Sequence, residues 1–150
     1  FSTLERHIMM CGDLIPGRLD PEYNAGCDPR ATRIALSTRV PKLMVGLDVT
    51  LQCPLSDNEI ENLLVKNTPL SHKLYRMTRL WQGGKKMAPI MHDPLAVISA
   101  VEDGIVRFEP MGILSDEKGK LRPMRGRPNV RFSVSVKPEG LRRRLDELIR

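Results

Sequence analysis

Residues 42–50 read KLMVGLDVT, and this stretch decides the fold class. It begins as an unbroken apolar run and does not alternate apolar with polar residues. Such a run is typical of a strand that is buried on both faces, as the strands of parallel sheets are. Asp48 and Thr50 follow at its carboxyl end, which is where ligands bind in open α/β sheets. The stretch therefore predicts a parallel core strand with polar groups at one end.

Strand-like and helix-like segments alternate on either side of this strand. The apolar run at 8–10 predicts an earlier strand, and Asp28 and Pro29 are suited to cap and begin a helix between the two strands. Residues 105–136 alternate apolar and polar residues in two segments, which predicts antiparallel strands. We therefore expect residues 1–150 to form a single α/β domain.

The composition is that of an ordinary soluble globular protein, with 41% hydrophobic and 28% charged residues. Three widely spaced cysteines without a CxxC pair exclude a zinc ribbon and, without a secretory signal, favour reduced thiols in the cytoplasm. No apolar run approaches a membrane span, so a membrane partner is not expected. The net charge of +6 is compatible with nucleic acid, but an aromatic content of 4% leaves few residues to stack on bases, which disfavours that partner.

A histidine and an aspartate stand side by side in residues 90–97, which read IMHDPLAV. One interpretation is structural: Asp93 caps a helix whose first residue is Pro94. The other is chemical: Asp93 binds a metal ion and His92 donates a proton. The pair considered alone favours the structural interpretation. In that case the buried face of the helix would consist of Leu95, Val97 and Ile98.

Glu22 and Asn24 are two residues apart, a spacing that puts both side chains on one side of an extended segment. A carboxylate accepts hydrogen bonds and an amide also donates them, so the pair suits adjacent sugar hydroxyls. The structural alternative is that Glu22 is solvated and Asn24 caps a turn. This stretch considered alone favours the structural alternative.

Three segments, in one order, resemble a known family. They are EYNAGCDPRAT at 22–32, MVGLDVT at 44–50 and HDPLAV at 92–97. Together they resemble the C-terminal half of the inosine/uridine-preferring nucleoside hydrolases, and the likeness covers nearly the whole chain. It implies a Rossmann-like α/β fold with a mostly parallel sheet flanked by helices. It also implies Ca²⁺-dependent hydrolysis of the N-glycosidic bond of ribonucleosides to free base and ribose.

By motif match, the resemblance implies roles for five residues. Asp93 would bind Ca²⁺ beneath the substrate, and His92 would protonate the leaving base. Glu22 and Asn24 would hydrogen-bond the ribose, and Met10 would line the sugar pocket. A histidine that titrates near neutrality suits this proton transfer, and a metal ion acidifies the attacking water. The implied substrate is a ribonucleoside such as inosine or uridine, and the implied assembly is a dimer or tetramer.

The chain departs from the family at several points. The aspartate-rich D-T-D-P-G-x-D-D segment, which supplies other calcium ligands and the general base, does not occur in these 150 residues. We therefore expect this polypeptide alone neither to bind Ca²⁺ tightly nor to cleave nucleosides. Cys11 replaces a glycine of the family's M-G-G turn, and Arg18 stands where an asparagine would contact the ribose.

Two other hypotheses remain open besides the enzyme. One is a catalytically degenerate relative that binds nucleosides or serves as a structural subunit, and the other is a basic nucleic-acid module. The sequence does not name the preferred base. Trp81 could stack on one, but its helical spacing with Leu74 and Met77 favours a place in the core.

Overall fold

The computed structural model describes residues 4–85 and 87–149, which contain six strands and seven helices. The strands are β1 (His7–Met10), β2 (Lys42–Val45), β3 (Val106–Met111), β4 (Ile113–Ser115), β5 (Leu121–Pro123) and β6 (Val130–Val136). The helices are α1 (Tyr23–Cys27), α2 (Pro29–Ser37), α3 (Leu47–Thr50), α4 (Asp57–Leu64), α5 (Pro69–Gln82), α6 (His92–Val101) and α7 (Pro138–Leu148). The predicted α/β class is confirmed.

The main sheet has four strands in the order β1-β2-β6-β3. Strand β2 is parallel to both β1 and β6, whereas β3 runs antiparallel to β6 at one edge. This arrangement confirms the mostly parallel sheet and the predicted antiparallel pairing near the C-terminus. Strands β4 and β5 form a separate two-stranded sheet. Gly112 separates β3 from β4. A Cβ atom at this position would lie 2.5 Å from the carbonyl oxygen of Met124.

Strand β2 is shorter than the sequence predicts. All of its residues are buried, as expected for a strand covered on both faces, but it ends at Val45. Residues 47–50 form the short helix α3, with Gly46 as its N-cap. A Cβ atom at Gly46 would lie 2.6 Å from the Phe132 ring, so only glycine permits this close turn. Asp48 and Thr50 therefore lie on a helical turn beyond the strand.

Two hydrophobic clusters cover the two faces of the main sheet. Successive residues of a strand point to opposite faces. Accordingly, Met44 packs in one cluster with Leu36 of α2 and Phe132 of β6. Its neighbour Val45 packs in the other cluster with Leu95 of α6 and residues of α7. Helices on both faces hold the strands rigidly, so the ends of β1 and β2 are fixed relative to α6.

Capping residues predicted the start of α2 correctly. Asp28 accepts a hydrogen bond from the backbone N–H of Ala31 at 2.8 Å, and Pro29 is the first residue of α2. Helix α6, however, begins at His92 with Met91 at the N-cap, so the prediction of Asp93 as N-cap is wrong. The Met91 N–H donates to the Cys53 carbonyl oxygen at 3.0 Å, which holds the chain in place up to that residue.

Several apolar residues predicted to be buried are exposed. Val97 on α6 is 66% exposed, so the predicted buried face is wrong there, although Leu95 and Ile98 are buried. Trp81 is 60% exposed, and the prediction of a core position for it is also wrong. Helix α5 instead packs through Leu74 and Tyr75 against the cluster around Ile60. Within the described residues, no helix is both long and apolar enough to cross a membrane.

Candidate active site

Three segments meet at the carboxyl ends of β1 and β2. Two hydrogen bonds join the residues after β1 to the end of β2 and the start of α3. The Cys11 N–H donates to the Val45 carbonyl at 3.2 Å, and the Leu47 N–H donates to the Gly12 carbonyl at 2.8 Å. The start of α6 joins them through Met91, which packs against the same hydrophobic cluster as Met10. The sheet therefore brings together the loops on which the sequence places its candidate residues.

Asn24 and Met10 are in direct contact. The Asn24 amide donates to the Met10 carbonyl oxygen at 3.0 Å and lies 3.2 Å from the Met10 sulfur. Asn24 is on α1, whereas Met10 ends β1, so this contact connects a helix to the end of the first strand. The predicted sugar-binding amide and the predicted wall of the sugar pocket are thus adjacent.

The carboxylate of Glu22 is almost completely buried, with 4% of the residue exposed. It accepts hydrogen bonds from the backbone N–H groups of Gly12, Asn24 and Ala25 at 2.8, 2.9 and 3.1 Å. The alternative in which Glu22 is merely solvated is therefore wrong. A carboxylate offers about four acceptor positions. Three of them are used to cap α1 and to join it to the loop after β1.

His92 lies against Thr50 at the start of α6. The His92 Nδ1 atom is 2.8 Å from the hydroxyl oxygen of Thr50, which is itself fully buried. The Thr50 hydroxyl also lies 3.3 Å from the Leu47 carbonyl and can donate to it. In that arrangement Nδ1–H donates to Thr50, and Nε2 is the ring atom that remains for another partner. Thr50, as the residue that orients His92, was missed in the sequence.

Asp93 is exposed in the first turn of α6, directly after His92. Within the described part of the chain, no group of three or more His, Cys, Asp or Glu side chains could hold a metal ion. A calcium ion takes six to eight oxygen ligands. Asp93 can supply one carboxylate, but the described residues do not supply a complete set.

Two carboxylates lie beside the site: Asp13, which is buried and which the sequence did not indicate, and Asp48, which is half-buried and lies beyond β2 as expected. The Asp13 side chain is completely buried, and its Oδ1 atom lies 2.8 Å from Lys120 Nζ. Its Oδ2 atom lies 3.5 Å from Arg18 Nε. Asp48 accepts from the Leu14 N–H at 3.0 Å, and burial raises the pKa of its carboxyl group. Lys120 therefore neutralises the buried Asp13, and Arg18 is a second, more distant cation beside it.

The surroundings of Cys11 disfavour its thiolate form at neutral pH. Burial, together with the nearby negative charge of Glu22, raises the pKa of its thiol to about 11. The reactive form of cysteine is the thiolate, which is scarce far below that pKa. The three cysteines are free, as predicted from their spacing.

Comparison with known proteins agrees with the resemblance seen in the motifs. The chain is 29% identical to a pyrimidine-specific ribonucleoside hydrolase of Photobacterium profundum, over 67% of this chain and 35% of that protein. It is 24% identical to a non-specific ribonucleoside hydrolase of Shigella dysenteriae, over 97% of this chain and 52% of that protein. The chain thus spans about a third to a half of these relatives.

A solved structure shares the fold. The purine-preferring ribonucleoside hydrolase from Gardnerella vaginalis superposes with a TM-score of 0.81 at 25% identity, over 96% of this chain and 52% of that chain. The model of the family described as inosine-uridine preferring nucleoside hydrolase matches residues 1–143. The chain therefore belongs to the inosine-uridine preferring nucleoside hydrolase family.

Proposed function

We propose that this chain forms the part of an active site that faces the ribose and the base of a ribonucleoside, whose N-glycosidic bond the complete site hydrolyses. One observation carries the proposal: the Asn24–Met10 and His92–Thr50 contacts both lie at the carboxyl ends of β1 and β2. In open α/β sheets this is the position of ligand sites. Membership of a family of nucleoside hydrolases supports the reaction.

His92 is the proposed proton donor to the departing base. The contact with Thr50 fixes the ring through Nδ1 and leaves Nε2 for the substrate. A purine or pyrimidine leaves more readily when it is protonated, and a positioned histidine accelerates such a step about a hundredfold or more. The bond between ribose and base breaks, the oxygen of water adds to the ribose carbon, and the base departs with the proton from His92. The proton that the water loses passes to a general base outside these residues.

Asn24 and Glu22 are the proposed ribose ligands, with Met10 as the apolar wall of the sugar site. The Asn24 side chain is exposed, so its amide remains accessible to a hydroxyl. The Glu22 carboxylate retains about one free acceptor position beyond its three backbone donors. A cradle of fixed polar groups around the sugar stabilises a transition state that resembles an oxocarbenium ion.

Asp93 is the proposed calcium ligand of this chain. When bound, Ca²⁺ supplies the polarisation that acidifies the attacking water. The described residues provide one exposed carboxylate for it and no cluster of three. The remaining ligands of the proposed site must therefore come from outside these residues.

We further propose a homo-oligomer, a dimer or tetramer, in the cytoplasm.

A second candidate function is a nucleoside-binding or structural relative without catalysis. The pairing of Arg18 with Asp13 favours it, because the position that the family uses for a ribose contact is occupied by an ion pair here. The two functions differ in one respect: both bind nucleosides, but only the enzyme releases ribose. The names of the relatives describe pyrimidine-specific, purine-preferring and non-specific hydrolases. Similarity to them therefore does not indicate which nucleobase this chain prefers.

The decisive experiment measures ribose release from inosine and uridine by the natural protein to which these 150 residues belong. We expect release in Ca²⁺ and its loss in a chelator. The His92→Ala variant should lower kcat at least about a hundredfold. The matched control is His72→Ala, since His72 is exposed on α5 and far along the chain from the site. Nucleoside binding without ribose release would support the second candidate, and equal effects of the two variants would contradict the role of His92.

A further inference from the structure

A groove of about 830 Å³ lies at the opposite end of the main sheet from the candidate active site. Its walls are the residues just before β1, the segment between α2 and β2, and the residues around the start of β6. These are the amino ends of the three parallel strands. The groove therefore shares no residue with the site described above.

The described residues that line the groove include five basic side chains and no acidic one. They are Arg6, Arg39, Lys42, Arg127 and Arg131. The four arginines are exposed, and the ion pairs of the described residues use other basic side chains. A concave surface with one sign of charge concentrates counter-ions, because its walls focus the electric field.

The walls of this groove are held by hydrogen bonds, so the arginines project from a rigid frame. Lys42 is buried and donates to the carbonyl oxygens of Thr38 and Val40 at 2.7 and 3.1 Å. On the other wall, the Asn129 side chain donates to the Ile113 carbonyl at 2.8 Å and accepts from the Ile113 N–H at 2.9 Å. Lys42 thus contributes charge and rigidity, while the arginines remain free to bind a ligand.

We propose that this groove binds a small anion that carries two or more phosphate groups. A guanidinium group binds phosphate oxygens through two parallel hydrogen bonds, and Arg39 and Arg131 lie on separate segments of the lining. The volume falls within the range of small-molecule sites, about 300–1,000 Å³. Among the described residues that line the groove none is aromatic, so they offer no surface on which the bases of a single-stranded nucleic acid would stack. Recognition therefore acts on the phosphates.

The test is calorimetric titration of the protein with inorganic tripolyphosphate at about 0.15 M salt, where long-range attraction is screened. The groove variant is Arg39→Gln with Arg131→Gln. The matched control is Arg30→Gln with Arg76→Gln, two exposed arginines outside the groove. Each pair of substitutions lowers the formal net charge of +6 by two. We expect at least about tenfold weaker binding in the groove variant and less than about twofold in the control.

Further ligands and a second variant sharpen the test. Inorganic orthophosphate should bind at least about tenfold more weakly than tripolyphosphate, because one phosphate engages fewer arginines. A second groove variant, Arg6→Gln with Arg127→Gln, should weaken binding as well. If the first pair of substitutions disturbs folding, this second pair still tests the groove. ATP should compete with tripolyphosphate, since both present three linked phosphates.

Three results would overturn the proposal. The first is the absence of saturable tripolyphosphate binding below roughly 10 mM. The second is equal weakening in groove and control variants, which would mean that net charge and not the groove attracts the anion. The third is tighter binding of a short single-stranded RNA than of tripolyphosphate in the same groove, which would make the ligand a polynucleotide. Nucleoside hydrolysis is not part of this test, so its outcome is independent of the proposed function.

Discussion

Glu22 shows how one residue can serve both the fold and a site. Its buried carboxylate joins the first turn of α1 to Gly12, the residue where the loop after β1 turns away from the sheet. Because a carboxylate takes up several donors at once, no other side chain of similar size could satisfy the same three N–H groups. The position of Asn24 beside Met10 depends on this anchor.

Replacement of Glu22 by glutamine is expected to lower the free energy of unfolding by about 2 kcal/mol. The amide keeps one acceptor oxygen but directs an NH₂ group toward backbone donors, so at least one buried N–H loses its partner. The matched control is Glu117→Gln, because Glu117 is exposed between β4 and β5 and its replacement should stay within about 0.5 kcal/mol. Urea denaturation measures both variants, and an equal loss would contradict the anchoring role.

Cys11 should react with iodoacetamide only at alkaline pH. With a pKa of about 11, only about one Cys11 thiol in a thousand is ionised at pH 8, and the rate should rise about tenfold per pH unit up to pH 10. Peptide mass spectrometry can follow Cys11 and the exposed Cys27 in the same sample. Labelling of Cys11 as fast as Cys27 at pH 8 would contradict the raised pKa.

At the scale of elements, the two-stranded sheet of β4 and β5 supports the loop that follows β1. Gly119, in the turn between these strands, approaches α1 so closely that a Cβ atom would lie 2.3 Å from the Ala25 carbonyl oxygen. Next to it, Lys120 reaches the buried Asp13. The ion pair joins residues 107 positions apart in the sequence. The small sheet therefore stabilises both α1, which carries Asn24, and the loop after β1.

The Lys120→Met variant should lower the free energy of unfolding by about 3 kcal/mol, because it leaves the Asp13 carboxylate buried with a more distant arginine only. The double variant with Asp13→Asn should recover part of this loss, since the unpaired charge is then gone. Lys118→Met, on an exposed neighbour in the same turn, is the control and should change little. Urea denaturation of all variants gives the coupling energy, and a strictly additive double variant would contradict the ion pair.

At the scale of the whole molecule, the two ends of one sheet carry different chemistry. The carboxyl ends present an amide, an imidazole and carboxylates, whereas the amino ends present arginines around a groove. The parallel order of β1, β2 and β6 separates the two ends, because all three strands point the same way. A ligand at one end therefore does not compete for residues at the other.

Calcium should have little effect on the isolated chain of 150 residues. One carboxylate of a six- to eight-oxygen shell binds weakly, so about 1 mM Ca²⁺ should raise the melting temperature by less than roughly 1 °C. A polypeptide that also carries the family's aspartate-rich segment should be stabilised under the same conditions. A rise of several degrees in the isolated chain would contradict the single-ligand proposal for Asp93.

Local rules explain which elements could be predicted. Asp28 and Pro29 are adjacent in the sequence, and α2 begins at Pro29 with Asp28 as its cap, as predicted. The predicted end of β2 is wrong because the chain turns at Gly46. There the backbone packs closely against the Phe132 ring, which is distant in the sequence. Trp81 was misjudged for a related reason: a 3.6-residue period marks an apolar stripe on α5 but does not say which neighbour covers it.

The sequence by itself determined the α/β class, the parallel core strand, the start of α2 and, through its motifs, the family and the candidate residues. These depend on contacts between near neighbours or on short patterns that the chain carries wherever it folds. Only the tertiary structure decided that Asn24 contacts Met10, that Thr50 orients His92, that Lys120 neutralises Asp13, and that arginines from three segments surround one groove. The physical reason is that such contacts join residues far apart in the chain, and only the packing of helices on both faces of the sheet brings them within bonding distance.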